Sequence, residues 1–176
     1  MSNRLKDKLP TGMPNIEMIK RGVPNDGAAQ SAVLGAFNSG KYIANYSGHG
    51  NAGAWSDAPF FNKGQVENLT NVSSPTLVTA LTCWNAYFVH PSPKSESLAE
   101  MMLHAPNGGA VAMWASSTKT TPDVQEVMAL RFYEQISLGN ITKLGDLIKD
   151  AKAQLNAGSD VRLSWVLLGD PMLKVR

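Results

Sequence analysis

Two residues in this chain have the types and spacing for nucleophilic chemistry. Cys83, the only cysteine, ends an apolar run, Pro75-Thr-Leu-Val-Thr-Ala-Leu-Thr-Cys83. His49 ends another, Lys41-Tyr-Ile-Ala-Asn-Tyr-Ser-Gly-His49, and is followed at once by Gly50. Their positions differ by 34 residues, about the length of one strand-helix-strand unit. Strands joined that way run parallel, and their carboxyl ends open onto the edge where α/β sheets bind ligands. A thiol and an imidazole at that edge can cleave an acyl bond: the thiolate attacks, the imidazole protonates the leaving group, and N–H donors hold the oxyanion. The competing reading of Cys83 is a small buried hydrophobe, by residue type alone the commoner role of a free cysteine. For His49 it is a turn histidine with an incidental hydrogen bond, which the glycines on both sides argue against, because they let a substrate backbone approach closely.

Other chemistries fit less well. Gly48-His-Gly50-Asn-Ala-Gly53 satisfies the dinucleotide pattern G-x-G-x-x-G, but that pattern must open a helix. Here it leads into Ala54-Trp-Ser-Asp-Ala-Pro59, a poor helix, so no cofactor is expected. One cysteine and three histidines, none at i, i+3 or i+4 spacing, do not make a metal site. His90 and His104 read as surface residues. Asp57 and Glu100 are the acids nearest the loops in question, and a solvated or capping role suits both.

The elements that must position Cys83 and His49 follow from pattern and punctuation. Residues 1–27, rich in proline, glycine and charge, read as an arm or linker with one edge strand over Asn15–Lys20. Asn25 or Asp26 caps a helix over Ala28–Asn38, whose stripe is Val33, Leu34 and Phe37 and whose stop is Gly40. Strands are expected at 41–47, 75–82 and 110–115. A crossover helix lies within Gln65–Thr70, and Ser95 or Ser97 caps another that runs to His104. Pro122 opens a helix to Ser137, a further one covers Thr142–Leu155, and the C-terminal segment gives a short helix or strand, a turn at Gly169-Asp-Pro171 and a final strand. This alternation predicts an α/β domain with a mostly parallel sheet flanked by helices.

With 43% hydrophobic and 17% charged residues, 176 residues suit one globular domain. The net charge of +2 is scattered, which gives no nucleic-acid surface. No run approaches the ~18 apolar residues of a membrane span, and the N-terminus has no apolar signal core.

Several motifs, in order, resemble the catalytic domain of gingipain-type cysteine peptidases, in the caspase-like group. They are Asn45-Tyr-Ser-Gly-His-Gly-Asn51 with Trp55 after it, Thr82-Cys83, Glu96-Ser-Leu-Ala-Glu100, Gly109-Ala-Val-Ala112 and Gly169-Asp-Pro-Met-Leu-Lys-Val-Arg176. The resemblance covers residue 26 to the C-terminus and implies a three-layer caspase-like domain over 28–176, lacking the family's N-terminal strands. It implies a cysteine endopeptidase without a cofactor, in which Cys83 is the nucleophile and His49 the general acid, and the N–H groups of Gly50 and Cys83 form the oxyanion hole.

Trp55, Trp84, Ser116 and Ser117 are candidates for the substrate pocket, with Trp114 a further tryptophan near the cleft. The family's acid for basic side chains has no match here, and its pocket-wall tryptophan is replaced by Lys119-Thr-Thr-Pro122, so a preference for arginine or lysine is not carried over. The resemblance further implies a secreted or cell-surface setting, a peptide or protein substrate, and other domains of a larger precursor or a partner chain along an open sheet edge. The alternatives are an inactive binding or assembly module and a transpeptidase acting in protein export.

Overall fold

The apolar runs of the sequence become strands because helices cover them on both faces. The computed structural model describes residues 1–56, 60–92, 95–156 and 158–175; Asp57 lies outside them. In chain order the elements are α1 (Ser2–Lys6), α2 (Asp26–Asn38), β1 (Ile43–Ser47), β2 (Gly50–Asn51), β3 (Ala54–Trp55), β4 (Phe61–Asn62), α3 (Lys63–Val66), β5 (Thr76–Leu81), α4 (Leu98–His104), β6 (Ala110–Ser116), α5 (Pro122–Leu138), α6 (Leu144–Ala153), α7 (Ser159–Ser164) and β7 (Trp165–Gly169). The main sheet has the order β1-β5-β6-β7. Its first three strands are parallel, and β7 is antiparallel to β6. A small antiparallel sheet, β2-β3-β4, stands at its carboxyl edge.

Every residue of β5 is buried, as expected of a central parallel strand packed on two sides. On one face Val78, Ala80 and Met113 meet Val33 and Phe37 of α2 and Met102 of α4. On the other, Leu77, Leu81 and Trp114 meet Phe132 of α5 and Leu147 of α6. Burying each such large side chain contributes roughly 1.5–3 kcal/mol.

Local signals set the helix starts. The Asn25 side chain accepts from the Ala28 N–H at 2.9 Å. Ser97 and Glu100 form a reciprocal cap at the start of α4, which is the capping role expected of Glu100. Pro122 occupies the first turn of α5.

Four expectations are corrected. Asn15–Lys20 is not a strand: Ile16 and Met18 are exposed, so neither face of that alternation meets a core. The crossover helix is shorter and earlier than Gln65–Thr70, because Asn62 and Gln65 form its capping box. The last strand runs into the turn at Gly169-Asp-Pro171 rather than following it, and among the described residues only an isolated bridge, Lys143 to Lys174, comes afterwards. The supposed arm includes α1, which packs on the α5 face with Leu5 2% exposed, Arg4 paired to Glu126 at 2.5 Å and Lys8 to Glu134 at 3.2 Å. β1 is an outer strand, and among the described residues no strand pairs its free edge.

Candidate active site

The register of β1 and β5 aligns the two loops that follow them. Ile43 pairs with Leu77 and Ser47 with Leu81, and the ladder continues as the Gly48 N–H donates to the Leu81 carbonyl at 3.2 Å. His49 and Cys83 therefore each lie two residues beyond the same registered pair. Facing is fixed further down the strands. The Thr79 hydroxyl donates to Asn45 Oδ1 at 2.9 Å and lies 2.8 Å from the Tyr133 hydroxyl of α5, so Asn45 and Thr79 look toward α5. Side chains alternate along a strand, and counting by twos from Asn45 and Thr79 leads to His49 and Cys83. His49 is exposed and Cys83 half-buried.

The backbone of His49 is held by its carbonyl, which accepts the Ser56 N–H at 2.7 Å and the Tyr46 hydroxyl at 2.6 Å. Tyr46 in turn lies flat on Trp55, with ring centroids 4.6 Å apart and planes 2° from parallel. This stack forces the flanking glycines. A Cβ on Gly48 would stand 2.6 Å from the Tyr46 hydroxyl, and one on Gly50 would stand 2.5 Å from Thr82 Oγ1 and 2.9 Å from the Ala54 carbonyl. The two glycines thus let the hairpin close down on Tyr46 and Thr82, a requirement of packing that holds before any substrate arrives.

Cys83 leaves β5 beside the loop that follows β6. Its Sγ accepts the Thr120 N–H at 3.4 Å and donates to the Thr120 carbonyl at 3.7 Å. The Trp84 N–H donates to the Thr118 carbonyl at 3.0 Å and the Ala86 N–H to that of Ser116 at 3.0 Å. Residues 83–86 and 116–120 therefore run side by side, and Thr120 adjoins the start of α5, on the face to which Cys83 is assigned.

Between the two loops lies Asn85, fully buried. Its Oδ1 accepts from Trp55 Nε1 at 2.7 Å, and its Nδ2 donates to the Asn51 carbonyl at 2.6 Å and to that of Ala54 at 3.3 Å. Its own carbonyl accepts the Ala99 N–H at 3.0 Å, which fastens the loop to α4. No periodicity or motif in the sequence singles out Asn85. The available signal was an asparagine two residues after the cysteine, next to an apolar strand end.

The remaining pocket candidates divide. Trp55 is 3% exposed and Trp114 fully buried; both are core residues, and Trp55 supports the hairpin from behind. Ser116 is fully buried, and its hydroxyl donates to the Thr118 carbonyl. Ser117 donates its hydroxyl and its N–H to the Ser164 carbonyl. These serines shape the loop. Only Trp84 keeps a half-open ring, next to the thiol.

His90 packs edge-on against Tyr87, and His104 pairs with Glu96 at 3.0 Å. Among the described residues, no three His, Cys, Asp or Glu side chains gather into a metal-binding group. No helix among them is long and apolar enough to cross a membrane. The site thus offers one thiol, one exposed imidazole and a set of main-chain N–H groups, the components of acyl transfer through a thioester.

The model of peptidase family C25 matches residues 13–176. The chain is similar to gingipain R2 of Porphyromonas gingivalis strain W83, 27% identical over 161 residues, or 85% of this chain and 22% of that relative. It is also similar to gingipain R1 of the same species at 27% identity, covering 85% of this chain and 16% of that one. Among solved structures, the complex of Porphyromonas gingivalis RgpB pro- and mature domains matches with a TM-score of 0.75 at 25% identity, over 84% of this chain and 37% of that one. The Arg-specific cysteine proteinase gingipain R matches with a TM-score of 0.71 at 25% identity, over 84% and 36% respectively. The mixed α/β sheet with helices on both faces is therefore the gingipain, caspase-like arrangement. The chain spans about a fifth of the length of the relatives it matches first.

Proposed function

Because this chain belongs to peptidase family C25, the gingipain-type cysteine peptidases, we propose that it hydrolyses peptide bonds with Cys83 as nucleophile and His49 as general acid. The single observation that carries the assignment is the shared register: two residues beyond the paired Ser47 and Leu81 come His49 and Cys83. In the reaction, Cys83 Sγ as thiolate bonds to the carbonyl carbon. The N–H groups of Gly50 and Cys83 receive the oxyanion. The C–N bond then breaks as His49 gives its proton to the leaving amine. Water adds to the thioester, its proton passes to His49, and the C–S bond breaks to release the acid and the thiolate.

The hairpin gives His49 a fixed backbone and a ring in solvent, which suits a group that must exchange protons with water between the two steps. The substrate is a peptide or protein. The chain works as one domain of a larger secreted or cell-surface protein, whose other parts, or a partner chain, cover the free edge of β1.

The test is covalent labelling by a peptidyl acyloxymethyl ketone together with cleavage of a mixed peptide library. Wild type should be labelled at Cys83 and cut peptides, Cys83→Ala should do neither, and His49→Ala should lose at least ~100-fold in kcat. Peptide cleavage by Cys83→Ala equal to wild type would overturn the assignment.

Two other readings share this site. The edge of β1 that no described strand pairs favours an inactive assembly module, for which wild type would resist labelling. Transfer to an added amine in preference to water would mark a transpeptidase.

A further inference from the structure

The stretch directly after Cys83 is aromatic in a way that neither the fold nor the reaction above uses. Trp84 is half-buried, Tyr87 is half-buried, and Phe88 and Val89 are 47% and 60% exposed. Their rings are organised. Trp84 and Tyr87 meet edge to face with centroids 5.0 Å apart, and Tyr87 meets His90 in the same way at 5.5 Å. The backbone beneath them is fixed by the Trp84 N–H bond to Thr118, and by the Tyr87 N–H bond back to the Trp84 carbonyl at 3.0 Å. Trp84 itself sits at φ 64°, a conformation uncommon for a bulky side chain. Isolated exposed hydrophobics call for no explanation, but an exposed apolar run, Phe88-Val89, that directly continues an ordered pair of rings marks a place that something apolar covers.

Two features of this stretch identify the occupant. The patch begins one residue from the proposed nucleophile, so Trp84 Cα is ~3.8 Å from Cys83 Cα, and an extended peptide whose carbonyl meets the sulfur has its neighbouring side chains within ~7 Å of that point. Residues 84–91 carry no lysine, arginine, aspartate or glutamate, and the one charge on the neighbouring 116–120 loop is the exposed Lys119, so a basic guest side chain would lose water there without gaining a partner. Resting on the peptidase reading, we infer that Trp84, Tyr87 and Phe88 form a subsite for a large apolar or aromatic substrate side chain next to, or one removed from, the cleaved bond. The rings supply stacking and edge contacts, interactions that prefer an aromatic guest to an aliphatic one of equal area.

The experiment has a cleavage arm and a binding arm. Wild type is given a peptide mixture randomised around a central position, and the cut bonds are read by mass spectrometry. From the result, a matched pair of peptides is made that differ only by Phe or Ala at the selected position. Fluorescence anisotropy then measures binding of the pair to Cys83→Ala. The expected outcome is enrichment of Phe, Tyr, Trp or Leu at one position flanking the bond. The Phe peptide should be favoured roughly three- to tenfold over the Ala peptide in kcat/KM and in binding. The ratio should collapse toward one in Trp84→Ala and, independently, in the exposed Phe88→Ala, whose thermal unfolding should match wild type.

Peptide cleavage with no flanking enrichment, or a Phe-over-Ala ratio unmoved by both variants, overturns the subsite and leaves the peptidase reading standing. If the mixture is not cut, the pair is made on an arbitrary central sequence; Phe-dependent binding lost in the variants then retains the subsite and removes the catalytic reading. Absence of both cleavage and Phe-dependent binding overturns both. A change of oligomeric state in Phe88→Ala with an unchanged peptide ratio assigns the patch to a second copy of the chain, and also overturns the subsite.

Discussion

The two halves of the candidate site are held by different means. Cys83 stands at the end of β5, a strand buried along its whole length between two helical layers. Its position is therefore set by the same core that keeps the domain folded. His49 rides on β2 and β3, strands of two residues each, and its position is set by a few specific contacts: two hydrogen bonds to its carbonyl, one flat ring stack and one asparagine. A thiol placed by bulk packing tolerates the loss of a single contact near it. An imidazole placed by a short list of bonds does not, because short hairpins have little stability of their own. Substitutions under the hairpin should thus cut activity more than stability, and substitutions under Cys83 the reverse.

Asn85 joins the two halves, and its removal gives the largest effect. Asn85→Ala leaves the buried Trp55 Nε1 and the less deeply buried carbonyls of Asn51 and Ala54 without their partner. At about 1–3 kcal/mol for a buried polar group left unmatched, and with partial relaxation, the total cost is roughly 2–4 kcal/mol. Denaturant unfolding should show that loss, and peptide cleavage at a temperature where the variant is folded should fall at least ~100-fold, since displacement of a reacting group by about 1 Å can cost that much. Full activity in a folded Asn85→Ala would break the comparison, because it would mean that the hairpin keeps its place without the link.

Gly50→Ala sharpens the same contrast with a smaller effect on stability. The added methyl would enter within 2.5 Å of Thr82 Oγ1 and 2.9 Å of the Ala54 carbonyl, so the hairpin must lift from the end of β5. Such overpacking typically costs 1–3 kcal/mol, and the outer position of the hairpin places this variant near the low end, about 1 kcal/mol. Cleavage should nevertheless drop ~10- to 100-fold, while labelling of Cys83 by a small alkylating agent such as iodoacetamide stays within about twofold. Equal losses in cleavage and labelling would show that the nucleophile moved as well.

The contrast also explains what was legible beforehand. β5 is a continuous apolar run, and the helices carry their own punctuation in Asn25, Ser97 with Glu100, and Pro122, so the layers and the neighbouring strand ends followed from local pattern. The two-residue strands of the hairpin have no period to detect. The roles of Trp55 and Asn85 depend on each other across 30 residues, and no local pattern contains that pairing. Trp55 was expected in the cleft and lies in the core because Tyr46 and Phe37 close over it. Ile16 and Met18 alternate like a strand and form none, since alternation states which face would be apolar but not whether anything covers it.

The smallest effect is expected beneath Cys83. Burial pushes the Tyr133 hydroxyl above its ordinary pKa, and the Thr79 hydrogen bond offsets this in part. In the unfolded chain a tyrosine ionises near pH 10. The folded chain therefore keeps a proton that the unfolded chain releases, and the group's contribution is fully present below about pH 10 and is lost as pH rises from there toward the folded value. Tyr133→Phe should cost roughly 1 kcal/mol at neutral pH, for the lost hydrogen bond with Thr79, and change peptide cleavage by less than about twofold. Between about pH 10 and 11 the wild type should lose up to ~1.4 kcal/mol of stability per pH unit more than the variant does, so the two unfolding curves converge. Parallel curves would mean that the phenol titrates alike in both states. A large loss of cleavage in Tyr133→Phe would mean that the Tyr133–Thr79–Asn45 chain positions the reacting groups more finely than packing alone, which would bring the nucleophile's half of the site closer in kind to the hairpin.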